Sequence, residues 1–340
     1  MILVRRKLNS ILVLLCSAWI YSISVIFLIS ANAQAGGIDF RKYTLDFLST
    51  GVGARALGMG GAFTSVANDV SAGYWNPAGL IKITFPQIIL MHDSRYNDVV
   101  SYNYGAVAVP LSKTESVALS AFVLSVNGIP NTVNAFNSIT DRIDVSKVTY
   151  FGATEMALFG SYSRKVSEKF SFGANVKFIR ENIGSTYGTG IGFDVGVLFL
   201  PTENLSFGGD LQNATTTIVA WTTGTTELSY PVVVIGASYK FSIGKVELLP
   251  AVDGVFNIDN MRKSSMVYAG PVSADVRAGA EVTYENVVAL RAGYNEVKQF
   301  TVGAGLYLPK LEIDYSFARF AYNDALGDSH RISMTLTIGN

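Results

Sequence analysis

From about residue 85 to the end, apolar and polar residues alternate with a period of two. Phe170, Phe172, Ala174, Val176 and Phe178 share one parity, and Ser171, Gly173, Asn175 and Lys177 share the other. The same alternation returns at 191–199, 276–283, 311–317 and 332–338. A period of two is that of a β-strand whose faces meet different surroundings. It predicts about fourteen strands, near 86–93, 98–110, 115–126, 153–165, 169–181, 188–200, 204–212, 230–242, 245–257, 272–284, 287–296, 299–308, 311–319 and 329–339. The strand at 245–257 is the weakest of these, because Pro250 interrupts a poor alternation.

Alternation alone fits a soluble sandwich as well as a membrane barrel. The connections separate the two. They alternate tight turns (near 110–116, 164–169, 200–204, 242–245, 284–287 and 308–310) with mostly longer segments (127–152, 181–188, 213–229, 257–272 and 320–329), although two exterior connections, near 94–98 and 296–300, are short. Transmembrane barrels sort their loops in this way, with short turns on the periplasmic rim and long loops outside. A closed barrel also leaves no backbone group unpaired in lipid. The expected fold is therefore an all-β transmembrane barrel of about 14 antiparallel strands. Its apolar parity would face outward, and Lys177, Asp194, Arg277, Glu281, Arg291, Glu312 and Asp314 would face inward. Tyr239, Phe241, Tyr284, Tyr294 and Tyr307, near strand ends, are candidates for interfacial girdles.

Composition agrees. Charged residues make up 15% of the 340-residue chain, below the roughly 25% of soluble domains. Residues 1–33 read as an export signal: Arg5, Arg6 and Lys7 precede an apolar run, and Ala31-Asn32-Ala33 offers a cleavage site. An uncleaved anchor is the alternative, since about 20 apolar residues span a bilayer. Cleavage would remove Cys16, the only cysteine, and three of the 26 basic residues, leaving 23 against 26 acidic ones. That balance offers no basic footprint for nucleic acid.

Residues 34–84 do not read as strands. Small and apolar, and placed before the first strand, they fit an N-terminal hatch in the lumen, with 85–340 as the barrel. Their run GARALGMGGAFTSVANDVSAGYWNPAGL (53–80) resembles the amino-terminal signature of the PorV/PorQ family, within the wider group of barrels like the fatty-acid transporter FadL. The resemblance rests on Gly53, Ala54, Arg55, Gly58, Gly60, Gly61, Ala62, Phe63, Asp69, Asn76, Pro77, Ala78, Gly79 and Leu80. It implies a hatch inside a fourteen-stranded barrel. It also implies a protein-handling role in type IX secretion, with cargo or machinery met by exterior loops. The FadL likeness implies the alternative, passive transport of a hydrophobic small molecule such as a long-chain fatty acid. Ile129, Val133, Phe136, Ile139, Trp221 and Met261 are apolar for exterior loops and would serve either contact. Two departures stand out: Asn68 replaces a second acid beside Asp69, and the chain lacks a terminal aromatic.

Catalysis is not expected. Gly51-Val-Gly-Ala-Arg-Ala56 matches a dinucleotide fingerprint, but no βαβ unit surrounds it. Ser329 and His330 are adjacent, so a strand would point them to opposite faces. His92 and His330 are too few for a zinc site without help from Asp93 or Asp328. No cofactor or metal is implied. Arg55 and Asp69, placed in a narrow lumen, each need a partner, and Glu281 or Arg277 could supply one.

Overall fold

The computed structural model describes residues 40–41, 45–96, 99–138, 140–258, 265–269, 272–320 and 328–339. Fourteen long strands form its wall. They are β1 (Gln87–Arg95), β2 (Val100–Pro110), β3 (Glu115–Asn131), β4 (Thr149–Ser167) and β5 (Phe170–Ile183). Next come β6 (Thr186–Phe199), β7 (Leu205–Gln212), β8 (Val232–Tyr239), β9 (Val246–Asn257) and β10 (Val272–Tyr284). Last are β11 (Val288–Tyr294), β12 (Gln299–Tyr307), β13 (Leu311–Phe320) and β14 (Ser329–Thr337). Each pairs antiparallel with its sequence neighbours. The sheet closes where β1 meets β14, from Gln87 opposite Thr337 to Arg95 opposite Ser329. No edge remains, as a barrel in lipid requires. Among the described residues no helix is long and apolar enough to cross a membrane.

The alternation has the expected meaning. On β5 and β6, Phe170, Val176, Phe178, Ile191, Val195 and Val197 are exposed on the outer face, while Ser171, Asn175, Lys177 and Asp194 are buried inside. Glu281, Arg291 and Asp314 are buried on the same inner face. The predicted segment at 245–257 is a full strand. Its Pro250 sits opposite Ala280 within the β9–β10 ladder.

Three readings need correction. Tyr307 is not a girdle residue: it shares the inward parity of Thr301, and its hydroxyl meets Arg291 and Glu281. The 127–152 connection is shorter than expected, because β3 and β4 run past the rim after a bulge and pair Ile129 with Phe151, which leaves 132–148 between the strands. The 213–229 connection is mostly sheet. Thr217–Trp221 pairs with β6 and with Thr226–Ser229, so the free turn is only 222–225. Asn213 and Thr216 take positive φ (52° and 58°) where the chain leaves β7 and rejoins the sheet. The proposed signal (1–33), Ile139 and Met261 lie outside the described residues.

Candidate functional site

Residues 45–84 contain no wall strand. They form short turns of helix: Asp46–Thr50, α1 (Ala54–Gly58), α2 (Ala72–Trp75) and Pro77–Lys82. Helices of four to six residues cannot stand alone in water. Here the inner wall holds them. Val52, Met59, Phe63, Val70, Ala78 and Leu80 are essentially without solvent contact.

Small polar side chains of the wall bond the segment's backbone all around the ring. The Ser163 and Ser171 hydroxyls donate to the Ala78 carbonyl at 3.1 and 3.2 Å. Asn175 Nδ2 donates to the Gly73 carbonyl at 2.8 Å, and Ser206 to that of Ser65 at 2.8 Å. The Phe63 and Thr64 amides donate to Asp253 Oδ2, both at 3.0 Å. Thr301 donates to the Gly58 carbonyl at 3.0 Å, and Ser333 accepts from the Ala54 amide at 3.1 Å. Such bonds satisfy backbone groups that a sealed lumen would otherwise leave unpaired.

The motif residues have distinct jobs. Asn76 is fully buried. Its Oδ1 accepts from the Ala78 amide at 3.1 Å and caps the Pro77–Lys82 turn, with Pro77 at the first helical position. Its Nδ2 donates to the carbonyls of Thr64 (2.9 Å) and of wall residue Val197 (3.0 Å). Gly60 has φ 66°, and a Cβ there would lie 2.6 Å from the Tyr294 backbone nitrogen. The wall answers with its own glycine at Gly279, where a Cβ would lie 2.1 Å from the Met59 carbonyl oxygen. Gly53 and Gly61 also take positive φ, and Gly58 faces Gly303.

A charged cluster joins the segment to β10, β11 and β13. Arg55 makes a two-pronged contact with Glu281 at 2.8 and 3.0 Å. Its Nη1 reaches Asn68 Oδ1 at 2.7 Å and Asp69 at 3.4 Å. Asn68 thus serves as the nearer acceptor, without a second acid's charge. Glu281 also accepts from Arg291 at 2.6 Å, and Arg291 donates to Asp314 at 2.7 Å. Of the two wall charges that the sequence offers Arg55 and Asp69, Glu281 pairs with Arg55. Arg277 is engaged by Glu296 at 2.6 and 2.7 Å. Burial would raise the Glu296 carboxyl, but the Arg277 guanidinium outweighs it and holds the group below the ordinary carboxylate range.

On the rim opposite the tight turns, a cavity of about 170 Å³ lies between the segment and the wall. Leu57, Gly61, Trp75, Arg95, Arg277 and Arg331 contribute to its lining. The loop candidates do not converge on it. Val133 and Phe136 are exposed in the 127–152 connection (83% and 55%). Ile129 is half-buried in the β3 extension, and Trp221 packs over Gly188. His92 and His330 lie on the outer face of the β14–β1 seam. They bond Asn103 and Tyr315, each at 2.8 Å, and not each other.

No family model matches the chain, and no curated protein matches it. Solved structures do. The toluene transporter TbuX of Ralstonia pickettii is similar with a TM-score of 0.56 and 12% identity, over 85% of this chain and 99% of that one. The toluene transporter TodX of Pseudomonas putida gives 0.55 and 13%, over 88% and 98%. A Pseudomonas aeruginosa FadL homologue gives 0.54 and 13%, over 85% and 98%. At such identities the likeness is one of fold: the chain is a closed fourteen-stranded barrel of the kind these transporters have.

Proposed function

We propose that the protein is a non-enzymatic outer-membrane barrel that lets a hydrophobic small molecule pass through its lumen, with residues 45–84 acting as a hatch. The observation that carries this reading is the lumen itself. A small-residue segment fills it, tied by short polar contacts and one charged cluster, beneath a cavity at the loop-bearing rim. The barrel likeness to transporters of toluene and to a FadL homologue supports the same reading.

The hatch has to move for anything to pass. Arg55 of the segment reaches Glu281 of β10 at 2.8 Å. The double variant Arg55→Cys/Glu281→Cys, bridged by a disulfide-containing thiol cross-linker, should therefore stop toluene uptake into proteoliposomes while bridged and restore it on reduction. Equal uptake in both states would defeat the hatch reading.

A second reading keeps one specific support. Val133, Phe136, Ile143 and Val145 are exposed together in the 127–152 connection, an apolar surface suited to protein contact. With the resemblance of residues 53–80, this favours a PorV/PorQ-like role in protein secretion. Deleting 132–146 should then abolish partner capture without changing uptake.

A further inference from the structure

The cavity at the loop-bearing rim carries more positive charge than an apolar solute needs. Three guanidiniums contribute to its lining: Arg95, Arg277 and Arg331. Two carboxylates serve them. Glu296 holds Arg277 with both oxygens. Asp93 uses one oxygen, Oδ2, for both others: Arg95 at 2.6 and 2.9 Å and Arg331 Nε at 3.1 Å. Asp93 Oδ1 is buried and bonds nothing. Around Asp93, two guanidiniums therefore share one carboxylate.

The shortfall falls on Arg331. That residue is 3% exposed, and its Nη1 is buried with no partner. An incompletely compensated buried guanidinium is costly, and an anion in the cavity would relieve it. Trp75 also contributes to the lining, buried, with its indole nitrogen committed to the Val52 carbonyl at 2.9 Å. The Arg277 guanidinium lies 5.7 Å from the Trp75 ring. A cavity of about 150 Å³ is known to hold one benzene ring, and this one is about 170 Å³.

We infer that this cavity binds a carboxylic acid bearing a single aromatic ring, its carboxylate toward Arg331 and Arg95 and its ring along Trp75. The inference rests on the lumen being a ligand path, and it sets this protein apart from one that carries neutral hydrocarbons. A planar guanidinium pair is well matched to a carboxylate.

The test is calorimetric titration of the full chain in detergent with sodium benzoate, toluene and sodium acetate. Benzoate should bind at least tenfold more tightly than either of the others. Arg331→Gln should weaken benzoate binding at least tenfold more than it weakens toluene binding. Arg331 is buried and paired, so its variant could fail to fold. Arg95→Gln, which also cancels the excess charge, then provides the same comparison. Toluene binding as tightly as benzoate would overturn the inference and leave the lumen path standing. Acetate matching benzoate would overturn the ring assignment. If no probe binds, both the inference and the lumen path fail together.

Discussion

The two flanks of residues 45–84 are held by opposite kinds of force. On the β2–β4 flank the contacts are aromatic. Phe122 of β3 sits at their centre, with ring centroids 5.9 Å from Phe47, 6.1 Å from Tyr74, 6.0 Å from Tyr102 and 6.3 Å from Tyr104. On the β10–β13 flank the backbone lies against wall glycines, and the charged cluster of Arg55, Glu281, Arg291 and Asp314 closes the contact. Aromatic packing is lost steeply as rings separate, and the freed rings find no equivalent partner in water. A charged contact is directional, and water can replace it. If residues 45–84 move as proposed, the first flank is the anchor and the second is the side that lets go.

Removing space on the glycine side should produce the largest effect. Gly279→Val places a side chain where the Met59 carbonyl already sits, and two backbones must move apart to admit it. Most of the protein should fail to reach the heat-modifiable folded form on gels. Recovery of normal folded protein, with its unfolding midpoint unchanged, would show that the segment does not need this close approach. Next is the anchor. Phe122→Ala deletes a fully buried ring and should cost about 3–5 kcal/mol, as large aromatic truncations do. Equilibrium unfolding in lipid would measure it. A loss below about 1 kcal/mol, the size of a marginal packing change, would mean that the aromatic flank is not the anchor.

The sequence exposes one of these flanks better than the other. Strand parity places Glu281, Arg291 and Asp314 on the inner face, because inside and outside differ at every second residue. Arg55 stands out as an unpartnered charge in a small-residue segment. Which wall charge it meets depends on how far α1 is turned and on the register of β10, and neither is written locally. Arg277 and Glu281 share a face, and only the folded barrel assigns Glu296 to Arg277 and Glu281 to Arg55. Asp253 is not legible for a related reason: it lies in the strand with the poorest alternation, yet it receives two segment amides. The inward wall glycines were visible as small residues on the polar parity. Their role depends on what lies across from them, and residues 58–79 are far away in sequence. The aromatic anchor mixes segment and wall residues for the same reason, and periodicity along one strand does not reveal it.

The smallest stability effect and the largest functional one should come from the same residue. Arg55→Gln removes the prongs on Glu281, but Glu281 keeps Arg291 at 2.6 Å and is not left as a lone buried charge. Asn68 and Asp69 lie near water and can rehydrate, since the Arg55 side chain itself is 13% exposed. The stability loss should then be about 1.5 kcal/mol, the low end for bonds to charged groups. Glu281→Gln makes the contrast, because it strips the charge that both Arg55 and Arg291 share and should cost more. If the β10–β13 flank is the side that releases, Arg55→Gln should raise toluene uptake into proteoliposomes several-fold while the barrel remains folded. Phe122→Ala should lower stability without a matching gain in uptake. An Arg55→Gln barrel with wild-type uptake would mean that the charged cluster only positions the segment, and the distinction between anchor and release would fail at the contact on which it rests.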